Sequence, residues 1–219
     1  MRRFNEAVRQ TYARTPTELR RQRRRSLADP SGTTIDLKLF YREPYDWPVM
    51  LKSLGTLATP LVEAFDGQTY RRAILIDGAS GIIAVQPLPN QPAVRLSVPY
   101  NLARHLLPIT ERVKQLFDLK ADPVAVADVL CHDPELAPLV KAAPGRRIPG
   151  CWDGFEVVVR ALLDSEDPAQ FPTLLHAFVT SAGEPLAEST DPTSSHLFPT
   201  PERLTNAESG AAGLSATLP

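Results

Sequence analysis

Asp153 and Glu156 stand three residues apart at the start of an apolar run, within PGCWDGFEVVVRALLDSEDPAQF, residues 149 to 171. Two carboxylates at that spacing could work as a general acid and a general base. The same spacing is that of a capping box, in which Asp153 accepts the backbone N–H of residue 156 and Glu156 reaches back to the cap. The box is the better account, because FEVVVRALL has the apolar spacing of a helix that needs a start. After Leu163 the apolar face gives way to Asp164, Ser165, Glu166 and Asp167.

Other chemistries find less support. Cys131 and Cys151 lie too far apart in sequence for a Cys-x-x-Cys knuckle, and two cysteines make no disulfide framework. Both read as small buried residues, and no metal site is expected. His105 and His176 fall in helix-like segments with no Ser or Cys partner, so a nucleophilic triad is unsupported. No glycine-rich loop follows a strand, which leaves nucleotide hydrolysis and a bound cofactor without a motif.

Charge is unevenly spread. The first 25 residues hold nine Arg against Glu6 and Glu18, a local balance of +7 in a chain whose net charge is -1. That asymmetry points to a basic arm for nucleic acid on a neutral-to-acidic body, with Arg2, Arg3, Arg9, Arg20, Arg21 and Arg23 as the candidate phosphate contacts. No run of 18 apolar residues is present for a membrane span, and the segment after Met1 is charged where a signal peptide would be apolar. A cytoplasmic location is the default expectation.

The elements that must position these residues follow from periodicity. Phe4, Ala7, Val8 and Tyr12 make one helical face, and Thr15 with Pro16 opens a second helix. Residues 22 to 32 read as a linker. TTIDLKLFY alternates Ile35, Leu37 and Leu39 with polar residues, the pattern of a half-buried strand. Asp46 then opens a helix with Trp47, Met50, Leu51 and Leu54 on one face. Residues 69–76 and 82–88 flank DGASG as a hairpin, and 93–98 adds a strand. From 99 onward the spacing is helical, with Asp122 and Pro123 opening one helix through Leu130 and Asp153 opening another. Trp47 and Trp152, each beside a helix start, read as core anchors. The fold class is therefore α+β: an antiparallel sheet domain with helices, followed by a helical domain.

In order, YREPYDWPVMLKSL, YRRAILIDGASGIIAV, RVKQLFDLKADPVAVADVL, PGRRIPGCWDGFEVVVRALL and HLFPTPERL resemble bacterial 3-methyladenine DNA glycosylases of the AlkA type, over residues 41 to 205. MRRFNEAVRQTYARTPTELRR is similar to the last helices of an AraC-type helix-turn-helix regulator, as in Ada-type fusions. The resemblance implies a regulator remnant at 1–25, a linker at 26–32, a sheet domain like half of the TATA-binding-protein fold at 33–108, a partial helical glycosylase domain at 109–204, and a disordered tail at 205–219.

It also implies a partner and a reaction. Enzymes of this type bend duplex DNA, flip an alkylated base out of the stack and cleave its glycosidic bond, aided by an Asp downstream of a Gly-rich helix-hairpin-helix. Neither that Asp nor that hairpin occurs in the 219 residues, so no catalytic residue is assigned and the chain is expected to be a truncated, catalytically incomplete piece. Two further positions depart from the family. Glu166 stands where a Gln or Leu would wedge into the minor groove; a carboxylate even ~8 Å from a phosphate costs about 2 kcal/mol at an effective dielectric near 20. Ser53 stands where an aromatic ring would face the flipped base.

Three readings stay open at this point: an inactive repair-enzyme fragment, part of a longer working glycosylase, and a non-catalytic DNA-binding or regulatory module using the basic arm. Apolar helix faces left uncovered would favour self-association.

Overall fold

The computed structural model describes Thr17 and residues 34–164, 170–186 and 192–208. The predicted helices of residues 1 to 21 and the linker after them, Thr17 aside, lie outside the described residues.

Five antiparallel strands form the main sheet in the order β1-β5-β4-β3-β2: β1 (Thr34–Phe40), β2 (Glu63–Phe65), β3 (Tyr70–Ile76), β4 (Ala79–Pro87) and β5 (Ala93–Pro99). Period-two alternation sets its two faces. Ile35, Leu37 and Leu39 of β1 lie opposite Val98, Leu96 and Val94 of β5, and all six are buried. Against this apolar face packs α1 (Trp47–Thr56), which buries Met50, Leu51 and Leu54. Asp46 caps it as expected, accepting the Val49 N–H at 3.2 Å.

The hairpin between β3 and β4 is tighter than the predicted DGASG loop. Ile76 pairs with Ala79, so the turn is Asp77-Gly78 alone, at φ 47° and 76°. Two consecutive positive φ values make a type I′ turn, whose twist suits the flanking strands. Residues 79–81 therefore belong to β4. Strand β2 has no counterpart in the sequence reading, because three residues carry no readable alternation.

A 3₁₀ turn (Tyr100–His105) leads into α2 (Leu106–Leu116), which places Ile109, Val113 and Leu116 in the core. Helix α3 (Pro123–Leu130) starts where expected, with the Asp122 carboxylate accepting from Val124 and Ala125. Helix α4 (Leu136–Ala142), which the spacing does not predict, is opened by Asp133, whose carboxylate accepts from Glu135 and Leu136. Neither α3 nor α4 buries a residue.

Next come α5 (Gly154–Leu163) and α6 (Phe171–Ala182), the latter burying Leu175, Val179 and Ala182. Two short strands, β6 (Glu184–Pro185) and β7 (His196–Leu197), pair with each other. The His196 N–H also donates to the Leu61 carbonyl at 2.9 Å, tying this segment to the loop before β2. Helix α7 (Pro201–Glu208) follows. Residues 205–208, expected within a disordered tail, are thus helical; 209–219 lie outside the described residues. No described helix is long and apolar enough to cross a membrane.

The loop 145–150 locks the helical layer to the sheet layer. Gly145 adopts φ 81° and comes so close to Pro44 and Tyr45 that a Cβ would lie 2.6 Å from their backbone atoms. Its carbonyl accepts the Asp46 N–H at 2.9 Å, beside the cap of α1. Two residues on, the buried Arg147 guanidinium donates to the carbonyls of Asp118, Ala121 and Arg42 and lies over the Tyr45 ring.

Candidate functional site at the junction of sheet and helices

Asp153 caps α5 as its spacing predicts, accepting the Glu156 N–H at 3.0 Å. The second half of the expected capping box does not form. The Glu156 carboxylate turns inward instead, is 4% exposed, and accepts from the Thr59 hydroxyl at 3.0 Å and from the Arg72 guanidinium. Without it one edge of a buried guanidinium would lack an acceptor, which costs more than an unmade local cap bond, so the long-range partner takes the carboxylate.

Arg72 is the centre of this arrangement. Strand alternation sends it to the inner face with Tyr70, Ile74 and Ile76, and it is 2% exposed. One side of its guanidinium holds Glu156, and the other holds Glu63 of β2 at 2.8 Å. Glu63 also accepts from the Tyr70 hydroxyl and from the Thr59 N–H, the latter at 2.7 Å. Thr59 in turn accepts from Arg160 at 2.8 Å, so two Arg face two Glu. The Trp152 ring lies under Arg72 at 5.2 Å, with Arg112 5.3 Å from the same ring.

This geometry fixes the protonation states. Burial pushes the Glu63 carboxyl up, but the Arg72 charge together with the Tyr70 and Thr59 hydrogen bonds outweighs it, and the group lies below its ordinary value. Burial is the chief reason that the Tyr70 hydroxyl titrates well above its usual range. An ionised, doubly hydrogen-bonded carboxylate beside a guanidinium is a poor proton acceptor. The arrangement joins two layers; it does not shuttle protons.

A cavity of about 400 Å³ opens beside it, with Leu54 and Leu57 of α1 on one wall, Trp152 and Val157 on another, and Arg72 in its lining. Arg72 Nε has no hydrogen-bond partner among the described residues. A larger open groove of about 840 Å³ lies on the other side of α1, between Trp47 and Phe65.

The model of the AlkA N-terminal domain matches residues 36–153. The chain belongs to that family. Among curated AlkA relatives, the probable bifunctional transcriptional activator/DNA repair enzyme AlkA of Mycobacterium tuberculosis (strain H37Rv) is 33% identical over 214 residues, covering 96% of this chain and 42% of that protein. The DNA-3-methyladenine glycosylase 2 of Escherichia coli (strain K12) is 31% identical over 175 residues, 78% of this chain and 57% of that one. The chain thus spans about half the length of the curated relatives it matches. Among solved structures, a 3-methyladenine DNA-glycosylase from Archaeoglobus fulgidus superposes with a TM-score of 0.65 at 17% identity, over 78% of this chain and 58% of that one. MBOgg1, solved with a low-affinity DNA ligand, gives 0.51 at 17% identity, over 80% and 57%. The solved structures confirm the α+β class, and the curated relatives bear AlkA and DNA-3-methyladenine glycosylase names.

Within this AlkA-type frame the predicted positions sort as follows. Ser53 lies on α1, half-buried, and its hydroxyl donates to the Val49 carbonyl of its own helix at 2.8 Å. Leu54 and Leu57, its neighbours on the helix, line the smaller cavity. Glu166 and the arginines 2, 3, 9, 20, 21 and 23 lie outside the described residues. Helix α5 ends at Asp164, an exposed C-cap carboxylate set against the negative helix end.

Several expectations need correction. Cys131 and Cys151 are half-exposed rather than buried, and both are free thiols. Trp152 is a buried core residue, whereas Trp47 is half-buried, stacked on Tyr45 at 4.4 Å. His105 is buried against Asp77 and Arg104, and His176 is exposed. Among the described residues no group of acidic, His or Cys side chains could hold a metal. The residues that sequence reasoning missed are Arg72, Glu63 and Arg147. The available signal was Arg72 itself, a charge at an inward position of an otherwise apolar strand face.

Proposed function

We propose that this chain is the sheet domain and leading helices of an alkylation-repair DNA glycosylase, that its partner is alkylated duplex DNA, and that by itself it does not cleave the glycosidic bond. The observation that carries this reading is the use already made of each carboxylate at the junction. Glu63 and Glu156 are both engaged by Arg72, with Arg160 close by, and Asp153 is spent on a backbone cap. Asp164 is exposed to water, where a charge gains little against a developing sugar cation. The E. coli relative carries the glycosylase name, and MBOgg1 was solved with a DNA ligand, which supports DNA as the partner.

In this reading the junction is a rigid base. It aims α5, and with it Glu166, at the position where the family places its groove wedge. Contact with DNA is largely non-specific and comes from Arg2, Arg3, Arg9, Arg20, Arg21 and Arg23, so affinity falls steeply as salt rises. The deciding experiment is release of methylated purines from alkylated duplex DNA by the purified 219-residue chain, beside a buffer blank and a complete AlkA-type enzyme. No release above the blank is the expected result. Release abolished by Asp164→Asn or Glu166→Gln would overturn the reading and give the chain a catalytic carboxylate of its own.

A further inference from the structure

The outer face of the sheet, away from α1 and the junction, carries an arrangement that the glycosylase reading does not use. Lys38 of β1 and Arg95 of β5 are direct cross-strand partners. Alternation turns both away from the core, because their neighbours Leu37, Leu39, Val94 and Leu96 are buried. Like charges facing each other on adjacent strands are destabilising. Among the described residues neither cation forms an ion pair. The Lys38 ammonium donates only to the neutral Gln91 amide, and Asp36, the nearest acid along the same strand face, is engaged by the Ser97 hydroxyl at 2.6 Å.

Beside this pair stands an exposed aromatic ring. Phe40, two residues along β1 from Lys38, is 53% exposed, and the Lys38 ammonium lies 5.8 Å from its centroid. Across the next strand Gln86 lies opposite Arg95 and donates to the Thr69 hydroxyl at 2.7 Å. One open face of an antiparallel sheet thus presents two unneutralised cations, an accessible ring and an amide.

We infer that this face binds single-stranded nucleic acid, with Lys38 and Arg95 on successive phosphates and an unpaired base stacked on Phe40. Charge complementarity selects a polyanion, since among the described residues no carboxylate lies within ion-pair distance of either cation. The ring selects among polyanions: a base offers a flat face to Phe40 only where it is not already stacked in a duplex, and sheets with exposed aromatics bind single strands in this way. This site is separate from the α5 end.

The test uses the full chain and a fluorescent thymine oligonucleotide at a series of salt concentrations. Lys38→Ala with Arg95→Ala is compared with Lys141→Ala with Arg146→Ala, which removes the same charge from exposed positions elsewhere. The expected result is a loss of about tenfold in affinity for the first pair only. The slope of log affinity against log salt also falls by about 1.4, two phosphates at about 0.7 each. Phe40→Ala weakens binding while leaving the slope unchanged. Equal losses in the two double variants would overturn the proposal, as would competition by polyglutamate equal to that by DNA of the same charge. A photo-crosslink from 5-bromouracil falling within 34–40 or 93–99 supports it, and crosslinks confined to the first 25 residues refute it. Failure here leaves the glycosylase-scaffold reading untouched, because that reading is scored on duplex DNA and base release.

Discussion

Arg72 and Glu156 lie 84 residues apart in sequence and are joined by a buried, hydrogen-bonded ion pair between the sheet and α5. Glu63 closes the other side of the same guanidinium. The pair is the point at which the sheet holds α5, so its integrity bears on how the two layers are joined.

Removing one partner should be worse than removing the cap on the same helix. Glu156→Ala leaves Glu63 to balance the Arg72 charge but strips one edge of the buried guanidinium and the Thr59 hydroxyl of their acceptor, and is expected to cost about 2–3 kcal/mol of unfolding free energy. Asp153→Ala removes only the bond to the Glu156 N–H and should cost about 1 kcal/mol. Urea unfolding of the two variants distinguishes them; similar losses would mean that Glu156 acts mainly through the helix start.

Acid should act on the same point. The Glu63 carboxyl titrates below its ordinary value of about 4.3. Its stabilising contribution is therefore complete above that value and is lost as pH falls through the lower, native-state value. The native chain should show a drop in thermal midpoint below about pH 4. In Glu63→Gln that part of the drop should be missing, with lower stability at neutral pH.

Gly145 answers for the contact between the loop before α1 and the helical layer. Gly145→Ala demands a positive φ of a residue with a Cβ and drives that carbon into Pro44 and Tyr45. A loss of more than about 1 kcal/mol is expected, measured by thermal melting. Gly78→Ala shares the positive φ but meets nothing within 4 Å, so its smaller loss reads the backbone term alone.

The helical layer should drive self-association. Val129 is 70% exposed, Leu139 65% and Leu162 75%, all on helices whose apolar sides face solvent. Size-exclusion chromatography with light scattering should show a mass that rises with concentration. Val129→Ser combined with Leu139→Ser should shift it toward the monomer, and a concentration-independent monomer in the parent chain would refute the expectation.

What the sequence determined by itself is local. Asp46, Asp122 and Asp153 announce their helices because a cap acts within three residues of itself, and all three accept N–H groups of the first turn. The alternation of Ile35, Leu37 and Leu39 likewise marks which side of β1 is buried, since neighbouring side chains must point to opposite faces. The five ordered motifs carried the family. Tertiary structure alone decided where side chains go once a partner from a distant element is available. Glu156 has the spacing of a capping box, yet it binds Arg72, because leaving one edge of a buried guanidinium without an acceptor costs more than one cap bond returns. The three-carbonyl seat of Arg147 and the cross-strand meeting of Lys38 with Arg95 were hidden for the same reason: register and packing bring those groups together, and no short window of sequence contains both halves.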